Sequence, residues 1–447
     1  MVKFAIPVFF ALVLQALYGT VDLLIVGRFA TSNDISAVGT GTQIMMSITF
    51  IICALSMGTT ISLGQSIGAG DHQRSGSIIG SSICLFGLLG LVNTILVPVF
   101  APELARMMNA PNESFALTVQ YIRIFGFGSC AMIFYNLIGG VFRGMGDSKT
   151  PLITVAVACV INIAGDLWLV AGLGMGTRGA ALATVFAQLV SVIFSLWYLR
   201  HQELPFELGW HNLRMNREVT QRVVALGAPL SLQSLLVSTS FLVILAIVNS
   251  LGVTASAGVG VSGKICDFVM LFPSAFSQAV AAFVSHNIGA KRYDRARLAL
   301  KKAITLAMAL SVIMFWAGFW HGDDLARIFT SDVAVIAAAY SYLRAYAIDS
   351  LLVSFLFCFI GFYNGLGMTK FVLVQGLVGA FVVRIPIAYF MSKWEPVSLF
   401  HIGLATPTAT VVQIGLCFGC LLWANKRFGH LVGSHQEDTV RPLSVAG

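Results

Sequence analysis

The chain has 447 residues, of which 57% are apolar and only 10% charged, with a formal net charge of +8. So few polar groups cannot cover a water-soluble surface of this size, and a mean hydropathy of +0.86 places the chain in the membrane class. A basic rim against anionic lipid accounts for the net charge, and without a basic tail or aromatic-basic cluster no nucleic-acid partner is expected.

Apolar stretches able to cross roughly 30 Å of hydrocarbon as helices run at about 4–27, 35–67, 76–101, 115–142, 150–172 and 177–199. Six more follow at about 222–250, 254–288, 298–320, 334–363, 370–392 and 397–424. The expected fold is all-α, a polytopic membrane protein of twelve transmembrane helices. The first stretch has one basic residue before it and no small-residue cleavage site after it, so it reads as a retained helix rather than a signal peptide.

The second six repeat the first. Ile67-Gly68-Ala69 recurs as Ile288-Gly289-Ala290 and Leu104-Ala105-Arg106 as Leu325-Ala326-Arg327, at an offset of 221 residues. Tyr121 and Arg123 map to Tyr342 and Arg344, and Gly140, Gly144, Gly146 and Lys149 map to Gly361, Gly365, Gly367 and Lys370. This period exceeds that of any solenoid, and duplication within a membrane chain points to a transporter. The expected organisation is an amino-terminal lobe at 1–200, a linker at 201–221, a carboxyl-terminal lobe at 222–428 and a tail at 429–447.

Seventeen of the 27 Lys and Arg fall on one set of loops, including Lys3, Arg74, Arg143, Arg214, Arg217, Arg222, Lys291, Arg297 and Lys370. The opposite loops hold Arg28, Arg106, Arg178, Arg327 and Lys393. The positive-inside rule therefore places both termini and the linker in the cytoplasm. All eight cysteines lie within or beside apolar stretches and read as small buried hydrophobes. Gly174-Met-Gly-Thr-Arg-Gly179 spells a dinucleotide fingerprint but lacks the strand and following acid that its mechanism needs. No cluster of His, Glu or Ser at depth suggests an enzyme or a bound metal, and no cofactor is expected.

Acids and amides at depth carry the chemistry. Asp22 and Asp166 each lie roughly 24 to 27 Å from the cytoplasmic face along their helices, so they can meet at one level. Asn162 is one turn from Asp166, and a carboxylate with an amide oxygen can hold a proton or a small cation. Lipid-facing charge costs on the order of 2.5 to 3.5 kcal/mol even on lenient scales, so such acids usually face a cavity and mark ion pathways. Their second-half counterparts are Val243, Val383 and Ile387, which makes the site an asymmetric addition to a symmetric frame. Lys264 and Asp267, at i and i+3, are expected to pair locally. Together with Asp349, Gln15 and Tyr18 they are candidate groups of the substrate cavity, and Arg384 is a further charge at depth. Pro7, on the stretch that carries Asp22, is a candidate kink. The spacings Gly64/Gly68, Gly140/Gly144 and Gly361/Gly365 suit close helix packing.

The segments LYGTVDLLIVGRF (17–29), GQSIGAGD (64–71), FRGMGDSKTP (142–151), NIAGDLWLV (162–170) and HNIGAKR (286–292) resemble the multidrug and toxic compound extrusion (MATE) transporters from about residue 3 to 428. The resemblance implies two six-helix lobes around a central V-shaped cavity in the plasma membrane. It also implies export of small organic cations or drugs against inward proton or sodium flow. Its amino-lobe cation network falls on Asp22, Tyr121, Asn136, Asn162, Asp166 and Thr184, with sodium, where used, at Asp22, Asn162 and Asp166. Family members that bind sodium in the carboxyl lobe carry a Glu and an Asp where this chain has Ser238 and Val353, so proton coupling is the nearer expectation. A lipid or lipid-linked oligosaccharide flippase is the alternative within the wider architecture, and no feature calls for an obligatory protein partner.

Overall fold

A computed structural model describes residues 2–201 and 213–433, which form helices and connecting turns without a strand. Residues 202–212 of the expected linker and 434–447 of the expected tail lie outside the described residues. The amino half contains α1 (Val2–Phe29), α2 (Ser32–Gly68), α3 (His72–Val99), α4 (Ala101–Met107), α5 (Asn112–Phe127), α6 (Ser129–Met145), α7 (Lys149–Asp166) and α8 (Gly176–His201). The carboxyl half contains α9 (Arg217–Asn249), α10 (Val253–Gly289), α11 (Tyr293–Trp320), α12 (Gly322–Arg327), α13 (Val333–Gly365), α14 (Thr369–Leu377), α15 (Ile385–Lys393), α16 (Leu399–Gly403) and α17 (Ala405–Gly433). A π-helical segment, Leu167–Gly172, extends α7, and another, Val378–Arg384, joins α14 to α15. Among the described residues eleven helical runs are long and apolar enough to cross a membrane, and the bent pair α5–α6 brings the number to twelve. The carboxyl half begins earlier than the apolar pattern indicated, because α9 is capped by Asn216, whose Oδ1 accepts from the Glu218 and Val219 amides.

Polar residues at the ends explain where these apolar helices start. Thr31 and Asp34 form a reciprocal capping box at the head of α2. The second oxygen of Asp34 accepts from the Thr177 amide at 2.9 Å and the Thr177 hydroxyl at 2.6 Å, tying the start of α8 to the start of α2. In the GMGDSKT segment Gly146 adopts φ 86° to end α6, and Asp147 Oδ1 accepts from the Lys149 and Thr150 amides to begin α7. The short α4 and α12, each carrying the repeated Leu-Ala-Arg, fall between the apolar stretches, so hydropathy alone reads them as connections.

The halves differ where α5 meets α6. A 54° bend separates them, whereas the duplicated stretch forms the unbroken α13. Gly128 sits at the bend, in the space that Val185 of α8 enters; a Cβ there would collide with that valine. The position 221 residues later is Asp349, within a continuous helix.

The two halves meet near the end where α2 and α10 finish, which also carries most of the basic residues. Gly68 lies so close to α10 that a Cβ would strike the His286 carbonyl, and Gly289 lies equally close to the Gln65 carbonyl. Gln65 Nε2 donates to the Gly365 carbonyl at 3.0 Å, and His286 Nε2 donates to the Gly144 carbonyl at 2.8 Å. Each donor and each acceptor is the 221-residue copy of its counterpart, so the contact is pseudo-two-fold. The acceptors lie in the last turns of α6 and α13, where helix carbonyls have no partner of their own. Further up, Gly58 and Gly227 let α2 and α9 touch backbone to backbone, and Phe9 of α1 meets Phe272 of α10 edge to face.

Candidate functional site

Asp22 on α1 and Asp166 at the last turn of α7 are both buried, at 3% and 0% exposure. Their carboxyl groups lie within hydrogen-bonding reach of each other. A bond between two carboxyl groups requires a proton on one of them, since ionised carboxylates only accept. Apart from that contact, Asp22 Oδ1, both Asp166 oxygens and Asn162 Oδ1 have no donor. Four buried acceptor oxygens without a donor suit a proton or a small monovalent cation, because an unpartnered buried acceptor is otherwise costly. Asp166 also immediately precedes the π-helical segment, a wide turn frequent at functional sites.

The surrounding groups orient this cluster. Asn162 Nδ2 donates to Thr184 Oγ1 at 3.3 Å, while the Thr184 hydroxyl donates to the Ala180 carbonyl at 3.0 Å. The amide is thereby turned so that its oxygen points away from Thr184. Tyr18 sits beside Asp22 and against Gln188. Tyr121 is close to both acids, but its hydroxyl bonds Thr42 at 3.0 Å, and its ring occupies space left by Gly41. Asn136 is buried and donates to the Met132 carbonyl of its own helix, with no hydrogen bond to either acid. Gln15 is half-buried on α1, and α1 runs through Pro7 as one uninterrupted helix. Gln188 and Thr42 escaped sequence reasoning because their relevance lies in side-chain direction, which spacing within their own helices does not express.

Thr184→Val keeps the shape and removes the hydroxyl that holds Asn162. A lost hydrogen bond of about 1 kcal/mol predicts an initial transport rate about fivefold lower in membrane vesicles. An unchanged rate would show that Asn162 is not held by Thr184.

The carboxyl half holds a different arrangement. Asp349 is buried on α13 beside Thr410, with one oxygen lacking a donor. Arg384 is also buried; its Nη1 donates to Ser240 Oγ at 3.1 Å and its guanidinium lies 4.3 Å from the Phe241 ring centre. The two charges are neighbours without an ion pair shorter than 4.0 Å. Lys264 and Asp267 are exposed on α10, and the pairing expected from their spacing does not form: no ion pair joins them. A cavity of about 350 Å³ lies between α10, α11, α12 and α13, lined by apolar groups such as Phe268, Met314, Leu325 and Phe329. It lies apart from the amino-half acids, none of which lines it.

A twelve-helix duplicated bundle with paired acids buried at depth defines a polytopic membrane transporter. The family model described as MatE matches residues 7–168 and again 229–390, and the chain belongs to that family. It is 24% identical over 438 residues to the probable multidrug resistance protein YoeA of Bacillus subtilis, covering 96% of this chain and 95% of that one. It is also 24% identical over 411 residues to the probable multidrug resistance protein NorM of Thermotoga maritima, covering 90% and 86%. Among solved structures, an outward-facing multidrug resistance MATE family transporter superposes with a TM-score of 0.89 at 22% identity, covering 96% and 95%. A MOP superfamily transporter from Pyrococcus furiosus superposes with a TM-score of 0.89 at 22% identity, covering 96% of both chains.

Proposed function

We propose that this protein exports small organic cations or drugs in exchange for protons entering the cell. The observation that carries this reading is the Asp22–Asp166 pair, two buried carboxyl groups close enough to share a proton and present in one half only. Relatives named as multidrug resistance and multidrug export proteins support the drug-efflux part. A proton on the pair and a cationic ligand beside it compete, because each neutralises the same negative charge; that competition is the coupling free energy an antiporter needs.

Alternating access follows from two lobes sharing a seam at one end. The basic end faces the cytoplasm by the positive-inside rule, so the seam of Gly68, Gly289, Gln65 and His286 closes the inner side, and the buried acids are to be reached from the outside. Proton binding from that side then precedes reopening inwards.

The test is transport of a fluorescent monocation in vesicles containing the purified protein, under a proton gradient alone and a sodium gradient alone. Transport under the proton gradient is expected to survive removal of all sodium. Transport that follows the sodium gradient and ignores the proton gradient would assign the same oxygens to sodium. Transport under neither would remove the antiport reading.

A further inference from the structure

The cavity between α10, α11, α12 and α13 reflects a divergence between the duplicated halves. Helices α2 and α10, and likewise α3 and α11, begin and end 221 residues apart, so their positions can be compared one for one. Met45 of α2 is buried, and its counterpart is the shorter Cys266. Val97 of α3 is buried against Gly126, where an added Cβ would come within 2.8 Å of the valine. Its counterpart is Gly318, which faces Ala347. Side chains that fill the amino half are thus cut back here, and Cys266, Gly318 and Ala347 all line the cavity. The walls are aromatic instead: Phe268, Phe329 and Tyr346 stand where the amino half has Ser47, Met108 and Phe125.

The volume of about 350 Å³ is at the small end of the roughly 300 to 1,000 Å³ that ligand pockets span. No lining residue is charged, so an ion would shed its water there without a counter-charge. An apolar space of this kind stays dry and takes up apolar molecules. Two hydroxyls interrupt the apolar lining. That of Ser350 donates to the Ala347 carbonyl at 2.6 Å. That of Tyr346, a residue 8% exposed, makes no hydrogen bond among the described residues. A buried hydroxyl without a partner is costly, and an acceptor on a bound molecule relieves the cost.

Phe268, Ile328 and Phe329 are the exposed residues of the lining and form its mouth. Met314 and Gly318 place the cavity beside the last two turns of α11, which ends at the exposed Trp320. Exposed tryptophans mark the membrane interface, and α11 rises from the basic end, so the cavity sits at the depth of the outer leaflet.

We propose that this cavity is a binding site for small, neutral aromatic molecules carrying a hydrogen-bond acceptor, with the acceptor toward the Tyr346 hydroxyl. A lipid chain would leave that hydroxyl unpaired and would gain none of the ring and sulfur contacts that Phe268, Phe329 and Met314 offer an aromatic ligand. The site is apart from the paired acids and does not rest on the export reading.

The test uses tritiated benzophenone, a neutral diaryl ketone that crosslinks to nearby C–H groups on illumination, with the full chain in phospholipid nanodiscs and in maltoside micelles. Labelling is expected to saturate and to map to peptides of α10, α11 or α13 that border the cavity. Diphenylmethane, which keeps the rings and lacks the carbonyl, should compete about fivefold more weakly than unlabelled benzophenone. Tyr346→Phe should remove that difference while diphenylmethane affinity stays within about twofold. Cys266→Met, which puts the amino-half side chain into the space, should lower labelling about tenfold or more. Both variants are checked for an unchanged size-exclusion profile.

Labelling that rises without saturation and spreads over lipid-facing helices overturns the proposal. So does equal competition by the two compounds in the wild-type protein, or labelling that neither variant changes. Saturable labelling in micelles that vanishes in nanodiscs assigns the cavity to a lipid acyl chain and overturns it too. Gradient-driven export is not read in any arm, so this site and the proposed function can each fail alone.

Discussion

Asp166→Asn is expected to reduce gradient-driven export to background, a loss of about two orders of magnitude, while the protein still inserts and still binds a monocationic dye weakly. The substitution keeps the shape and removes the carboxyl group that, on the proposed mechanism, exchanges a proton with Asp22. Asp22→Asn should give the same loss, because a single carboxyl group beside an amide no longer has the partner whose charge and proton it traded. The double variant should be no worse than either single one, since groups within hydrogen-bonding reach act as a unit and their effects do not add. Export is read in vesicles as dye movement after an imposed pH jump, with insertion checked by size-exclusion profile. Normal export in both single variants would remove the pair from the mechanism and turn attention to Asp349 and Arg384.

Gly68→Val and Gly289→Val, separately, are the other changes of large effect. The new Cβ would meet a backbone carbonyl in each case, so no flexible side chain can move aside. Overpacking of this kind costs about 1 to 3 kcal/mol, which lowers the population of the state closed at this end by about fivefold to 150-fold. Export should fall accordingly. Spin labels on exposed turns at the ends of α2 and α10 should report a longer distance than in the unsubstituted protein. Retained export with an unchanged distance would show that this contact does not open during the cycle.

Much of the architecture was legible because membrane helices are specified by apolar length and duplication by register. Spans and repeat therefore appear in the sequence directly. The break at Gly128 was missed although Gly126-Phe-Gly-Ser129 permits a bend, because the approach of Val185 from α8 is a tertiary contact that the local sequence does not express. Asp22, Asn162 and Asp166 stood out as polar groups in apolar runs, whereas Tyr121, Asn136 and Thr184 were reached only through resemblance. Of these, Thr184 bonds Asn162, and Asn136 turns to its own backbone. Lys264 and Asp267 were close enough in sequence to pair, but spacing permits a contact without enforcing it.

The reciprocal bonds from Gln65 to Gly365 and from His286 to Gly144 have the form of an isologous homodimer interface, in which residue i of one protomer meets j of the other and j meets i. Here the protomers are joined end to end in a single polypeptide. Neither half completes itself: each leaves the closing carbonyl of its own helix to be satisfied by the other. Co-translational folding of the first half thus produces a surface whose proper partner has not yet been made. Fusion keeps that partner at a fixed stoichiometry and frees the two protomers to specialise, so the paired acids exist in one of them while the closure remains common property.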